Sequence, residues 1–292
     1  MKITWFPSWQ CNNYGRDGIN PVCRYCHLGY DHQQQVVTMD GVAGPSGVPI
    51  AASLVVDFFL RHRELLGSEF DMSGGEPLMR GDLPGILRLL VDGGYSWGIT
   101  SNSLLSVQIE RLRAVGVLEA CNSWTCSVHA YGGEQWEVLA ANVRALKGLV
   151  RHISATVVVS VHTLPILANL WRGVQSLPFD AVQFHLDMNY PAPQVLLDAA
   201  REVLPAGARF AMHGYETRGV SCRRWSEFLV VAPDGTVFEC FRKAFSGLDP
   251  VGNIENLDIS RLSGESAWCD LNCHYGCDQR KHENPPAEIK IL

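Results

Sequence analysis

The sequence lacks an excess of basic charge, long apolar runs and a leader-like start. Its 292 residues carry 24 Lys and Arg against 30 Asp and Glu, a formal net charge of -6, whereas binding to nucleic-acid phosphates needs a basic surface. No apolar run reaches membrane-spanning length, and the start, MKITWFPSWQC, lacks the basic-then-apolar plan of a signal peptide. We therefore expect a cytoplasmic protein without a membrane partner. Nucleic acid is disfavoured as a partner, and the one local basic patch in its favour is Arg223, Arg224, Arg242 and Lys243.

Cysteine, in contrast, is plentiful. The ten cysteines fall into three groups, at positions 11, 23 and 26, at 121 and 126, and at 222, 240, 269, 273 and 277. Disulfide frameworks belong mainly to small secreted domains, and clustered cysteines in a reducing cytoplasm more often bind metal. We expect metal centres in the first and third groups. Cys121 and Cys126 are expected to be buried core residues, as free cysteines often are.

Short β-rich runs alternate with helical patterns through the first two-thirds of the chain, which predicts parallel β/α units. The predicted strands are Ile3–Phe6, Phe70–Ser73, Trp97–Thr100, Ser123–Val128, Ala155–Val161 and Ala181–Leu186. The predicted helices are Ala52–Leu66, Leu83–Val91, Leu105–Val115, Glu134–Leu149 and Leu164–Leu177. Six such units make an α/β partial (β/α)6 TIM-like open barrel, with the functional site on the loops after the strands.

The pattern changes near residue 206. Two β-rich runs, Phe228–Ala232 and Val237–Cys240, flank the turn signal Pro233-Asp234-Gly235, which predicts a hairpin. A short cysteine-bearing segment, Trp268–Cys277, follows. We therefore predict two domains, a barrel over 1–205 and a small hairpin-plus-helix extension over 206–292 that binds metal.

The first cysteine group follows the first strand. Cys23-Arg24-Tyr25-Cys26 is a C-x-x-C, and together with Cys11 it can hold three irons of a [4Fe–4S] cluster, leaving the fourth iron open. The alternative is half of a structural zinc site. The turn Ser73-Gly74-Gly75-Glu76-Pro77 after the second strand favours the cluster, since glycines let a backbone approach a ligand and Glu76 can accept hydrogen bonds from a ligand ammonium.

With Thr100-Ser101-Asn102-Ser103 at the end of the third strand, these motifs resemble the radical S-adenosylmethionine (SAM) superfamily over nearly the whole chain. The resemblance implies that Cys11, Cys23 and Cys26 hold the SAM-binding [4Fe–4S] cluster. It implies further SAM contacts, namely Glu76 with Gly74 and Gly75 at the methionyl ammonium, Pro77 in the same turn, Ser101 and Asn102 at the ribose, Tyr25 at the adenine, and Ser127 nearby.

The cysteine spacing departs from the usual C-x3-C-x2-C of that superfamily and is C-x11-C-x2-C here. The extra loop, Asn12–Val22, contains Gly15, Gly18 and Pro21, so it can turn back and restore the geometry. The loop is itself a candidate contact for substrate or partner.

The third cysteine group brackets the predicted hairpin and continues as Cys269, Cys273 and Cys277, spaced as one face of a helix. Buried structural cysteines are the alternative. Cys222, Gly235 and Cys240 match the hairpin pattern of the SPASM/twitch extensions of radical SAM enzymes. That resemblance implies one auxiliary [4Fe–4S] cluster held by four of the five cysteines, with His274 as a possible competitor.

The resemblance implies reductive cleavage of SAM to a 5′-deoxyadenosyl radical, which abstracts hydrogen from an unactivated carbon of a small-molecule or short-peptide substrate. An auxiliary cluster suits net oxidation, and a flavodoxin- or ferredoxin-type protein is the expected reductant. Radical SAM enzymes that act on ribosomal precursor peptides often carry an N-terminal domain that recognises the peptide. Because the predicted first strand already begins at residue 3, we expect a small-molecule or short-peptide substrate instead.

Two other functions stay open, a peptide maturase that forms crosslinks or thioethers and an iron–sulfur or zinc scaffold or electron carrier without SAM chemistry. Polar side chains at the strand ends are candidate catalytic groups, in particular the bases that remove a proton during oxidation. They are His129, His185, Asp187 and Tyr190.

Overall fold

The computed structural model describes residues 2–11, 29–30, 36–37, 48–187, 192–211, 221–222, 228–247, 249–257 and 267–268. Several predicted site residues lie outside these ranges, namely Cys23, Tyr25, Cys26, Tyr190, Cys269, Cys273 and Cys277. For Cys222 the structure describes the backbone strand alone.

The described residues form short strands and helices in alternation. The strands are β1 Lys2–Trp5, β2 Gly29–Tyr30, β3 Val36–Val37, β4 Glu69–Met72, β5 Ser96–Ser101, β6 Cys121–Val128, β7 Ile153–Val159, β8 Ala181–Leu186, β9 Phe210–Ala211, β10 Ser221–Cys222, β11 Phe228–Val231, β12 Thr236–Phe238, β13 Gly252–Asn253 and β14 Ala267–Trp268. The α-helices are α1 Ala52–Arg61, α2 Arg63–Leu66, α3 Leu83–Asp92, α4 Ser106–Ala114, α5 Gly133–Leu146, α6 Leu167–Gln175, α7 Pro193–Val203 and α8 Phe241–Ser246.

Ten of the strands form one open sheet in the order β13-β12-β11-β1-β4-β5-β6-β7-β8-β9. Within this sheet, all neighbours from β11 to β9 are parallel, and β12 pairs antiparallel with β11 and with β13. The predicted mixed α/β fold with a mostly parallel open sheet is confirmed. The carboxyl ends of the parallel strands meet at one edge, where the described residues Cys11, Glu76 and Asn102 lie.

The outer face of the sheet packs against the helices and forms the main core. Alternate residues of β1 and β5, such as Ile3, Trp5 and Trp97, are almost fully buried there. Helix α3 covers this face with Leu83, Ile86, Leu87 and Leu90, which recur at helical spacing and are all buried. Apolar burial of this kind is the main term that holds the barrel together.

A second, smaller core lies on the opposite face of the sheet and involves the hairpin. Phe6 and Trp9, in the segment that leads to Cys11, pack against Phe245 of α8, with ring centroids 5.2 and 5.7 Å away. All three are buried, together with Val230 and Phe238. The hairpin and α8 therefore support the segment that carries Cys11.

Three features differ from the sequence prediction. The helix predicted over Ala52–Leu66 is divided at His62 into α1 and α2. Helix α7 and the two-residue strand β9 were not predicted, and β9 is too short to leave a periodic signal. The predicted hairpin forms, and β11 pairs in parallel with β1, so that it extends the barrel sheet.

Candidate functional site

The turn Ser73–Pro77 follows β4 and runs beside the segment that ends at Cys11. Past the carboxyl ends of the paired strands β1 and β4, three further backbone bonds continue the pairing. Ser73 N donates to Trp5 O at 3.1 Å, Gly75 N to Ser8 O at 3.0 Å and Glu76 N to Gln10 O at 2.7 Å. These backbone bonds fix the turn against the residues immediately before Cys11.

The two glycines of the turn are required by this close approach. Gly74 has φ +108°, a conformation that favours glycine. A Cβ at Gly75 would lie 2.4 Å from Trp9 O and 2.5 Å from Gln10 O. The sequence suggested that both glycines let a ligand approach, but in the structure Gly75 first lets two backbone segments approach each other.

Glu76 is almost fully buried and joins the turn to the end of β5. Its Oε1 accepts hydrogen bonds from Leu78 N at 3.0 Å and Ser101 Oγ at 2.8 Å, and its Oε2 accepts one from Asn102 N at 2.7 Å. Burial raises the pKa of Glu76 to about 7, although the hydrogen bonds from Asn102, Leu78 and Ser101 oppose this rise. The carboxyl group therefore links the turn after β4 to the end of β5 through hydrogen bonds.

Cys11 lies at the same place. Its Sγ is 3.9 Å from Nδ2 of Asn102, the residue whose backbone N–H donates to Glu76. Cys11 is partly buried and Asn102 is buried. Three predicted site residues that are far apart in the sequence are thus brought together at the carboxyl end of the sheet.

Ser103 organises the buried side of this strand end, a role that sequence reasoning missed. It has the left-handed value φ +59° and is fully buried. Its Oγ accepts from Trp124 Nε1 at 3.0 Å and donates to Cys126 Sγ at 3.2 Å, while Asn142 Nδ2 donates to its carbonyl at 2.8 Å. A positive φ at serine is uncommon, so these contacts hold Asn102 and Ser103 in one conformation.

The described members of the predicted catalytic set, His129, His185 and Asp187, lie at the carboxyl ends of β6 and β8. The rings of His129 and Tyr131 meet edge to face at 5.5 Å, and Tyr131 Oη donates to the carbonyl of Ser127 at 3.1 Å. Desolvation lowers the pKa of His129 to about 4, so its imidazole is neutral near pH 7. His185 lies in β8, and the buried Asp187 follows it, with its backbone N donating to Val159 O at 2.8 Å.

Cys121 and Cys126 are both buried in the outer-face core. Burial raises the pKa of Cys126 to about 12 and raises that of Cys121 further. Neither thiol has the exposure or the lowered pKa that marks a reactive cysteine.

The third cysteine group is described only in part. Cys240 precedes α8, and its Sγ accepts from Lys243 N at 3.5 Å. In the pair of β10 and β14, Cys222 lies opposite Ala267 and Ser221 opposite Trp268, so the strand of Cys222 adjoins the segment that leads to Cys269. Within the described ranges, no three His, Cys, Asp or Glu side chains converge on a metal position, and each predicted ligand set includes cysteines beyond those ranges.

The described residues fit the groups that the sequence predicts. Cys11 offers a soft sulfur ligand of the kind that iron–sulfur clusters use. Beside it, the Gly-Gly-Glu-Pro turn and the end of β5 bring backbone groups and the side-chain amide of Asn102 to the same strand ends. The helices in the described part of the chain are all too short or too polar to cross a membrane.

No protein-family profile matches the chain, and no curated protein has a sequence similar enough to match. Solved structures do match. Streptococcus suis SuiB bound to S-adenosylmethionine has a TM-score of 0.59 at 12% identity, over 94% of this chain and 66% of SuiB. SuiB bound to its precursor peptide SuiA gives 0.56 at 13% identity, over 89% and 63%. The protein anSMEcpe with bound AdoMet gives 0.58 at 15% identity, over 90% and 79%.

These likenesses establish the fold as the open partial barrel of radical SAM proteins. The chain spans about two-thirds of the length of SuiB. At 12–15% identity, the similarity extends to the fold and leaves activity, substrate and partners to be argued from the site.

Proposed function

We propose that this chain is a radical SAM enzyme that abstracts hydrogen from an unactivated carbon of a small-molecule or short-peptide substrate, with net oxidation. The observation that carries the proposal is the convergence of Cys11, Glu76 and Asn102 at the carboxyl end of β1, β4 and β5. An electron carrier or a zinc scaffold gives no reason for Cys11 to lie beside the polar end of β5.

The proposed cofactors are a [4Fe–4S] cluster held by Cys11, Cys23 and Cys26, together with SAM. When bound, they supply the one-electron cleavage that yields the 5′-deoxyadenosyl radical, which is the hard step of the reaction. The protein then has to position the substrate and exclude water. Here Gly75 and Glu76 fix the strand ends around the site, the buried hydroxyl of Ser101 holds Glu76 in place, and Asn102 directs its side-chain amide toward Cys11.

The same proposal includes an auxiliary [4Fe–4S] cluster with Cys222 and Cys240 among its ligands. The buried aromatic core of Phe6, Trp9 and Phe245 connects the segment of Cys11 to the helix that begins after Cys240. A second cluster near this helix can accept the electron left on a substrate radical. A flavodoxin- or ferredoxin-type protein would supply the first electron.

The neutral imidazole of His129 and the carboxyl group of Asp187 are the proposed proton acceptors, together with His185. Peptide maturation is the second candidate function. It is favoured by the structural neighbours SuiB bound to SuiA and anSMEcpe bound to the Cp18Cys peptide, the latter with a TM-score of 0.54.

Metal loading tests the proposal. Anaerobic reconstitution with ferrous iron and sulfide should give about eight irons per chain, four for each cluster. Cys11→Ala and Cys240→Ala should each lose about four. The matched control Cys121→Ala removes a buried thiol from the core and should keep the wild-type count. Zinc in place of iron, or an iron count that Cys11→Ala does not change, would refute the assignment.

A further inference from the structure

The side chain of Asn102 is held against Cys11 at the end of β5. Its Nδ2 lies 3.9 Å from Cys11 Sγ, close enough for a hydrogen bond to the large sulfur atom, and the residue is only 4% exposed. Because an amide nitrogen donates and does not accept, Nδ2 is the donor and the sulfur is the acceptor. The contact joins two residues that are 91 positions apart in the chain.

The orientation of the Asn102 amide is fixed by its oxygen. Oδ1 accepts a hydrogen bond from the backbone N of Leu104 at 3.1 Å. A backbone N–H only donates, so the amide atom that faces it has to be the oxygen. The nitrogen of the same amide therefore points the other way, toward Cys11.

The backbone of Asn102 is fixed as well. Its N donates to Glu76 Oε2 at 2.7 Å, and Tyr131 Oη donates to its carbonyl at 3.5 Å. The next residue, Ser103, is fully buried, and its carbonyl accepts from the side chain of Asn142 at 2.8 Å. Groups from the turn after β4, from the loop after β6 and from α5 therefore hold the donor in one position.

A donor fixed at the sulfur of a cluster ligand affects how easily the cluster takes up an electron. In the proposed function, Cys11 is a ligand of a [4Fe–4S] cluster that receives one electron from a reductant. Reduction places more negative charge on the ligand sulfurs, and a hydrogen bond to sulfur stabilises that charge, which raises the reduction potential. Burial of Asn102 strengthens the effect, because a hydrogen bond away from water is electrostatically stronger.

We infer that Asn102 raises the reduction potential of the first cluster through a hydrogen bond from its side-chain amide to Cys11 Sγ. Asn102 is a positioning residue in this role, since it acts through Cys11. The bond would make the cluster easier to reduce for a flavodoxin- or ferredoxin-type protein. The inference rests on the proposed function, in which Cys11 binds the cluster. The ribose contact that the resemblance implies for Asn102 is a separate prediction.

A redox titration of the reconstituted full chain without SAM, followed by electron paramagnetic resonance, tests the inference. The signal of the first cluster is the one that is absent from Cys11→Ala. Asn102→Leu removes the donor at nearly unchanged size. It should lower the equilibrium constant for one-electron reduction about fivefold, the equivalent of about one hydrogen bond. This factor is a shift of about 40 mV to lower potential, since a tenfold change is about 59 mV.

A second variant and a matched control separate the hydrogen bond from general loosening of the strand end. Asn102→Asp keeps an oxygen for Leu104 N but replaces the donor by an ionised carboxyl group, so it should lower the potential at least as much as Asn102→Leu does. Asn142→Ala removes the side chain that holds the carbonyl of Ser103 and leaves the Asn102 donor in place. It should keep the wild-type potential.

Three results would overturn the inference. The first is a wild-type or higher potential in Asn102→Leu, and the second is an equal shift in Asn142→Ala. The third is loss of the first cluster from both Asn102 variants, which would make this side chain a structural support. If only Asn102→Asp binds the cluster, a wild-type or higher potential in that variant overturns the inference in the same way.

Failure of this inference is distinguishable from failure of the proposed function. A wild type that loads iron and cleaves SAM, with an unchanged potential in the Asn102 variants, retains the proposed function and loses only this role of Asn102. A wild type that binds no iron loses the proposed function and this inference together.

Discussion

At the scale of single residues, the candidate site depends on a few positions whose backbone conformation is set by one residue or by its contacts. The run Gly74-Gly75-Glu76-Pro77 could be recognised in the sequence because its signal is local. Ser103 could not, because its left-handed backbone depends on Trp124 and Asn142, 21 and 39 residues further along the chain. Nothing in the serine itself indicates this conformation.

Gly75→Ala should disrupt the site. The new Cβ would lie within 2.6 Å of backbone atoms of Trp9 and Gln10, which cannot move aside as a flexible side chain can. We expect reduced thermal stability and loss of SAM binding, measured by differential scanning calorimetry and by equilibrium dialysis with labelled SAM.

The matched control for that variant is Gly85→Ala on α3. Gly85 has no atom within 4 Å of an added Cβ, so alanine should raise stability by up to about 1 kcal/mol through its helix propensity. If Gly75→Ala binds SAM as well as this control does, the turn is not part of the site.

Glu76 and His129 should give opposite pH dependences to the stability of the metal-free chain. The pKa of Glu76 is raised from 4.5 to about 7, so the folded state holds the proton more tightly, and this contribution to stability is lost as pH rises from 4.5 to 7. The pKa of His129 is lowered from 6.5 to about 4, so its contribution is lost as pH falls from 6.5 to 4.

Single variants separate the two effects. Relative to wild type, Glu76→Gln should make the free energy of unfolding rise more steeply with pH between 5 and 7, and His129→Gln should make it rise less steeply or fall. Each shift corresponds to about 3 kcal/mol over its full range. Urea unfolding at a series of pH values measures these slopes, and parallel curves for all three proteins would contradict the assignment.

At the scale of elements, the strands and helices of the barrel could be predicted because their periodic patterns are strong. The predicted strand Ala181–Leu186 coincides with β8, and the predicted helix Leu83–Val91 coincides with α3 to within one residue. The order in which the strands pair could not be predicted, because register depends on contacts between distant strands.

Helix α5 and strand β5 should be coupled through one hydrogen bond. Asn142 is buried on α5, and its side chain donates to the carbonyl of Ser103 at 2.8 Å. Asn142→Ala would leave that buried carbonyl without this donor, at a cost of about 1–3 kcal/mol. We expect a lower urea midpoint and weaker SAM binding.

Asn169→Ala on the exposed surface of α6 is the control and should leave both quantities unchanged. Equal stability of the two variants would show that the bond to Ser103 does not hold the end of β5.

At the scale of the whole molecule, the hairpin and the barrel share one sheet. The sequence predicts a boundary near residue 205, and that division into two domains stays a prediction. In the structure, β11 pairs with all four residues of β1, and Phe6 N donates to Val231 O at 2.8 Å. A hairpin can be recognised from the residues of its own turn and strands. The strand that the hairpin pairs with lies far away in the sequence and could not be predicted from those residues.

A chain ending at residue 205 should therefore fold poorly. It would lack β11 and expose Phe6 and Trp9, which are now almost fully buried. We expect low solubility and loss of a cooperative thermal transition by circular dichroism. A chain of residues 1–268 keeps every described strand and should retain that transition. Cooperative unfolding of the shorter chain would show that the barrel is independent of the hairpin.

The central claim is that Cys11, beside Glu76 and Asn102, belongs to a centre that cleaves SAM. The most direct measurement is 5′-deoxyadenosine formation by the anaerobically reconstituted chain with SAM and dithionite, followed by liquid chromatography and mass spectrometry. The account predicts 5′-deoxyadenosine and methionine from the wild type and none from Cys11→Ala, with Cys121→Ala active. Intact SAM after full reduction of an iron-loaded wild type, or equal product from Cys11→Ala, would contradict it.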